Sequence, residues 1–230
     1  MEEVVKLAGR QQDETSVSTK GNALVHPEVK KNNIGKSVGY ALQPEVRCWF
    51  PIRATYHRAQ KVYDRLVALG NDRLEPYLPT LCRVEEDENT GNSVIKEEPL
   101  DKSLLFVRTT FWDFRKLLEN PSLISGMTPY YNHFKTNEFG KNELLTVPDR
   151  QMESFKIIVE SRNQNIIVRQ SEMPKIIEGD RVVVTDGAFA GVEGVVMKYK
   201  HQKRVFVQLH GVGIYATAYV PSTFLKKIET

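Results

Sequence analysis

The sequence predicts an α+β domain, an antiparallel sheet covered by helices, followed by a small all-β barrel. Two observations carry this. Between residues 45 and 162 the hydrophobic periodicity runs strand, helix, hairpin, strand, helix, strand, helix, which suits helices layered on a small sheet. From Ile176 to Thr230 only strand patterns and turn signals occur, five short strands in all. A polar linker, 163–175, joins the two parts and is interrupted by Ile166-Ile167-Val168. Residues 1–44 hold no aromatic side chain before Tyr40 and are rich in charge, Gln, Asn, Ser and Gly, so they read as a flexible extension.

The strand Arg47–Ala54 opens the folded part. Helical spacing follows from Tyr56 to Leu69, where Ala59, Val62, Tyr63, Leu66 and Leu69 share one face and Gly70-Asn71 stops the helix. Residues 75–79 and 81–84 read as a strand interrupted by proline. The polar run Asp87-Glu88-Asn89-Thr90-Gly91-Asn92 is expected to turn a protruding hairpin. Leu104–Arg108 is a buried-strand pattern. Thr110 and Asp113 have capping spacing for a second helix, whose apolar side is Phe111, Phe114, Leu117 and Leu118 and which Pro121 ends. Met127–Tyr131 is a short strand. Val147-Pro148-Asp149 starts a third helix with the stripe Met152, Phe155, Ile158 and Val159.

In the C-terminal part, Gly179–Val196 is the densest signal. Two β-branched runs flank a tight turn that uses Asp186-Gly187, Gly191 and Gly194. Val205, Val207 and Leu209 alternate on one face of the next strand. Tyr215–Val220 forms another, and Phe224-Leu225 opens the last.

Bulk properties bound the function. The 230 residues carry a formal net charge of +3, compatible with transient nucleic-acid contact but not demanding it. No apolar run is long enough for a bilayer and no signal-peptide pattern is present, so the expected location is cytoplasmic. Cys48 and Cys82 are far apart and are expected as reduced thiols. The five histidines do not pair with cysteine at zinc spacing, and no P-loop, G-x-S-x-G or H-E-x-x-H occurs. The expectation is a protein without enzymatic activity, cofactor or metal.

The Gly179–Val196 segment resembles the KOW motif of NusG-type transcription factors. Trp49-Phe50-Pro51-Ile52-Arg53-Ala54, the helix Arg58–Leu66, Leu105-Phe106-Val107 and Val147-Pro148-Asp149 together resemble the NGN domain of the same family. The resemblance covers about residues 47–230 and implies an NGN-like domain at 45–162 and an SH3-like KOW barrel at 176–230. The chain departs from the family at Lys102-Ser103-Leu104, at Gly126-Met127-Thr128-Pro129 and in the longer stretch Gly211–Pro221. The closest resemblance is to UpxY-type antiterminators of Bacteroidetes polysaccharide loci.

The resemblance implies a regulator, acting as a monomer, that binds elongating RNA polymerase and promotes antitermination. The polymerase clamp would meet apolar anchors, for which the candidates are Phe50, Leu100, Leu104, Phe106, Tyr130 and Tyr131; a core role competes for several of them. Arg58, Lys61 and Arg65 fall at i, i+3 and i+7 on one helix face, with Arg53, Tyr56 and His57 beside its start. In the family this edge faces upstream DNA and the non-template strand, so the cations would meet phosphates and Tyr56 and His57 would stack on bases. A plain solvated face is the alternative. Phe189 and Val192, on the Gly-rich loop, would touch a ribosomal protein or termination factor, or else plug the barrel end. Lys198, Lys200, Lys203 and Arg204 make a basic hairpin that either touches RNA or guards an edge. A ribosome-associated or RNA-binding KOW protein is the competing function.

Overall fold

Alternation along two neighbouring strands decides the layout. The computed structural model describes residues 45–86, 93–137, 139–163, 165–169 and 179–228. In chain order the elements are β1 (Arg47–Ala54), α1 (Ala59–Ala68), β2 (Glu75–Tyr77), β3 (Thr80–Glu86), β4 (Ser93–Pro99), β5 (Leu104–Thr110), α2 (Phe111–Glu119), α3 (Pro121–Ile124), β6 (Met127–Pro129), β7 (Tyr131–Thr136), β8 (Asn142–Leu144), α4 (Asp149–Glu160), β9 (Ile167–Arg169), β10 (Asp180–Val184), β11 (Glu193–Tyr199), β12 (Gln202–Leu209), β13 (Gly213–Ala216) and β14 (Leu225–Lys227).

The central sheet is antiparallel, in the order β2-β5-β1-β6. Successive side chains point to opposite faces. Phe50, Ile52 and Ala54 of β1 and Leu105 and Val107 of β5 therefore meet α1 and α2, in a cluster with Val62, Leu66, Phe114 and Leu117. Trp49 of β1 and Leu104 and Phe106 of β5 lie in a second cluster with Met152, Phe155, Ile158 and Val159 of α4. That second cluster runs on without a break into Val182, Val184, Val205, Val207, Leu209 and Tyr215 of the C-terminal strands.

Those strands form a second antiparallel sheet in the order β14-β10-β11-β12-β13-β9. Five strands are expected from the sequence and six are present. The sixth, β9, comes from the linker segment; its three residues pair with Ile214, Tyr215 and Ala216. The expected strand Tyr215–Val220 is shorter, ending at Ala216, after which Thr217 turns inward: its hydroxyl accepts from the Val205 N–H (3.0 Å) and donates to the Ala218 carbonyl (2.7 Å).

Local signals and structure agree where the periodicity is strong. The Thr110 side chain caps α2 by accepting from the Asp113 N–H at 3.2 Å, and Pro121 ends that helix and begins the short α3. The apolar stripe of α4 is fully buried. The proline-interrupted strand is two strands in different sheets: β2 pairs with β5, whereas β3 and β4 form a separate hairpin. The expected turn at 87–92 lies outside the described residues. A second hairpin, β7–β8, follows the short strand β6, and periodicity gives no sign of it.

Candidate protein and nucleic-acid interfaces

The strand-to-helix turn after β1 holds two consecutive non-glycine residues in the left-handed region, as does the Lys200–His201 turn. Tyr56 and His57 both have φ of +55°, the left-handed region that L-residues avoid at a cost of roughly 1–2 kcal/mol each. The helix expected from Tyr56 therefore begins only at Ala59. Hydrogen bonds on both sides hold the turn. The Ala54 N–H donates to the Ser103 carbonyl (2.8 Å), the Thr55 N–H to Gly126 (2.9 Å) and the Ala59 N–H to Lys102 (2.9 Å). The His57 Nδ1 lies 3.0 Å from the Ser103 Oγ.

The result is an aromatic ring pushed into solvent, with Tyr56 84% exposed. Arg58 lies over that ring, 5.7 Å from its centroid, and Arg53 lies over Tyr130 at 5.2 Å. Lys61 is exposed on the next turn of α1. These five side chains, Arg53, Tyr56, His57, Arg58 and Lys61, make a basic and aromatic edge of the kind that binds phosphates and stacks bases. Arg65, the remaining member of the expected set, serves the fold instead. Its guanidinium donates to the carbonyls of Ser125 (2.9 Å) and Ser122 (3.4 Å) after α2. Beside the turn is an open cavity of about 430 Å³ lined by His57, Glu98, Leu100, Asp101, Lys102 and Val168. Its two carboxylates disfavour a phosphate there.

The expected polymerase anchors separate into two groups. Phe50 faces α1 and α2 and stacks on Phe114, with ring centroids 4.2 Å apart and planes 9° from parallel. It is wholly buried, and so is not an exposed anchor in this structure. Leu104 and Phe106 are also buried, but on the opposite face, under α4 and the C-terminal strands. Leu100 and Tyr130 are half-buried against the same cluster, and Tyr131 is 42% exposed at the start of β7.

Aromatic, polar and backbone contacts together seat the C-terminal strands on this face. Phe155 of α4 touches Phe106 on one side (centroids 5.6 Å) and Tyr215 of β13 on the other (4.4 Å). Ser154 Oγ accepts a hydrogen bond from the Glu193 N–H at 3.0 Å. Arg150 pairs with the Glu193 carboxylate at 3.7 Å. The loop between β12 and β13 closes on Leu145: a Cβ at Gly211, whose φ is +74°, would stand 2.7 Å from Leu145 Cδ2.

Tyr215 is fully buried, and its hydroxyl has no hydrogen-bond partner among the described residues. Burial pushes its phenol far above the ordinary value, and the neighbouring Tyr130 and Asp101 raise it further. Tyr77, on β2, is raised as well, first by burial and then by the charge of Glu160, whose carboxylate accepts its hydroxyl proton at 3.2 Å.

The expected contact residues of the Gly-rich loop point inward. Phe189 is 5% exposed and Val192 is wholly buried, both in the cluster shared with α4. Of the two expectations, the projecting tip is not what the structure has: the buried side chains agree with the loop plugging the end of the sheet. The expected basic hairpin is partly structural. Arg204 donates to the carbonyls of Asn165 and Thr217, tying the segment before β9 to the strands, and Lys203 donates to Ser222 Oγ at 2.8 Å.

Cys48 and Cys82 are not joined in a disulfide. No described helix is long and apolar enough to cross a membrane. Among the described residues no group of three or more His, Cys, Asp or Glu side chains is arranged to hold a metal ion.

No curated protein matches the chain. A solved structure described as "Domain interaction in Thermotoga maritima NusG" aligns over 80% of this chain and 98% of that one, at 15% identity and a TM-score of 0.35. Residues 178–210, which comprise β10, the Gly-rich loop, β11 and β12, match the family model of the KOW motif.

Proposed function

We propose that the chain is a NusG-like transcription regulator that binds RNA polymerase during elongation and reduces pausing or termination, in the manner of an UpxY-type antiterminator. It makes and breaks no bond. It acts by favouring one state of the polymerase over another, which requires tighter binding to the processive state. The observation that carries this reading is the KOW unit seated on the second face of the α+β sheet. Leu100, Leu104 and Tyr130 are the side chains this reading assigns to the clamp contact, and they share one cluster with the C-terminal strands.

On this reading the present arrangement is the closed one, and polymerase competes with the KOW unit for the same apolar face. Arg53, Tyr56, His57, Arg58 and Lys61 lie outside the covered surface as the contact to upstream DNA or the non-template strand. The protein works in the cytoplasm without a cofactor. The inward-facing Phe189 and Val192 leave this reading without its loop contact to a ribosomal protein or termination factor.

Gly211→Val tests this in the full chain. The new side chain meets Leu145 and demands a disfavoured backbone, so it loosens the closed contact by about 1–3 kcal/mol. Core RNA polymerase immobilised on beads should retain the variant about 5- to 150-fold more strongly than the unaltered protein. Equal retention of the two, or none of either, refutes the proposal.

A further inference from the structure

The end of the C-terminal sheet opposite the Gly-rich loop is basic and hollow. β10 runs from Asp180 at this end to Val184, where that loop begins. The pairing register decides which side chains meet here. Val182 lies opposite Lys227, Asp180 opposite Val196, and Lys198 opposite Lys203. Alternate residues of a strand share a face, so these side chains and Leu225 point to one side of the sheet. With Met197 and Ser222 they line a cavity of about 380 Å³, the size of the smaller clefts that hold ligands.

The floor of the cavity is aliphatic. Val182 is buried, Val196 and Leu225 are half-buried and Met197 is exposed. No aromatic ring is among the described lining residues. Three lysines stand around this floor. Lys227 pairs with Asp180 at 2.9 Å, and Lys203 donates to Ser222 Oγ at 2.8 Å. Asp180 is the single carboxylate among the described lining residues; Glu178 lies outside the described residues. Lys198 stands directly across the ladder from Lys203, and like charges so opposed destabilise a sheet. A carboxylate brought between them removes that cost.

The same features select the occupant. An aliphatic floor without rings suits an aliphatic side chain rather than a base. β14 is the last strand of its sheet and pairs with β10 alone, so an extended backbone can add along its outer edge. Lysines on an edge strand can simply keep other strands away, but that role needs no aliphatic hollow beside them. A cavity of this size takes a few side chains, not the roughly 800 Å² that a folded partner or a second copy brings to a stable contact.

We propose that this end of the C-terminal sheet binds a short acidic peptide as an added strand beside β14. One aliphatic side chain of the peptide sits on Val182, Val196 and Leu225, and the carboxylates two residues before and after it meet the lysines. The site rests on no part of the polymerase reading, and its test contains no polymerase.

The probe is the fluorescein-labelled peptide Thr-Glu-Thr-Leu-Thr-Glu-Thr, which as a strand presents its leucine and both carboxylates on one face. The full chain is titrated in and anisotropy is followed across a salt series. Saturable binding that weakens with salt is expected. Serine in place of the peptide's leucine should weaken it at least about 5-fold, because the apolar burial is lost. Glutamine in place of both glutamates should weaken it at least about 3-fold. Lys198→Glu should have the effect of the glutamine peptide, whereas Lys116→Glu, the same change of net charge placed on α2, should have none. Lys198 and Lys116 are both exposed, so circular dichroism should show an unchanged fold for either variant. The proposal is overturned if the peptide does not bind, if the serine peptide binds equally, or if Lys116→Glu weakens binding as much as Lys198→Glu. It is also overturned if inorganic phosphate or rU15 at equal concentration displaces the peptide, or if sedimentation shows a pair of chains that Lys198→Glu separates.

Discussion

The two faces of the central sheet are built from the same two strands and yet are covered in different ways. On one face, Phe50, Ile52, Leu105 and Val107 are covered by α1 and α2, which directly follow β1 and β5 in the chain. On the other, Trp49, Leu104 and Phe106 are covered by α4 and then by strands that begin far beyond the end of β5. The first cover is local and closed by stacked rings. The second is remote, tethered, and includes a buried hydroxyl without a partner among the described residues. A sheet face covered by its own neighbours is a core. One covered by a separate motif can serve as a docking surface whenever that motif lets go.

The largest expected effect falls on the first face. Phe114→Ala should destabilise the chain by about 3–5 kcal/mol in urea unfolding, because it leaves a cavity against Phe50. A loss below about 1 kcal/mol would mean that this face is no more a core than the other. A smaller effect is expected from Ser154→Ala, which leaves the Glu193 N–H without its acceptor. The cost should be about 1–3 kcal/mol. Hydrogen exchange should report it by faster exchange at Glu193, with the amides of β1 unchanged. Uniform acceleration across β1 would mean that the two faces open together.

The smallest effect is at Tyr215. Tyr215→Phe removes an unpartnered buried hydroxyl and should change stability at neutral pH by less than about 1 kcal/mol, in the stabilising direction. The pH dependence sharpens this. The phenols of Tyr77 and Tyr215 are raised in the folded state, so the folded chain holds protons that the unfolded chain releases near pH 10. Stability is therefore unaffected by these groups below about pH 10 and falls as pH rises beyond it. Tyr215→Phe should make that alkaline fall shallower. A fall unchanged by the substitution would place Tyr215 in water.

The local face is legible in the sequence because helices with 3.6-residue stripes flank strands with alternating ones, and Thr110 and Pro121 mark the ends of α2. The Tyr56–Lys61 edge is legible from spacing and residue type. Its defining feature, the left-handed turn that throws Tyr56 outward, is not, because the restraints come from Ser103, Lys102 and Gly126, far along the chain. Arg65 shares a helix face with Lys61 but is claimed by carbonyls after α2. The burial of Phe189 and Val192 depends on α4, to which no local pattern points. The strand β9 is three residues long and finds its edge only at β13, well down the chain. The exposure of Phe134 and Phe139 hides behind a lack of alternation, since neither ring has a core to face.

The pairing of β9 with β13 has a mechanical corollary. While β9 stays zipped to β13, the C-terminal sheet hangs from the end of α4 by residues 161–166 alone, a reach of roughly 20 Å even when fully stretched. Peeling those three residues away removes that stop and lengthens the leash. The same short strand is thus a two-position stop: a partner that must be reached far from the sheet is out of range until a handful of backbone bonds is broken.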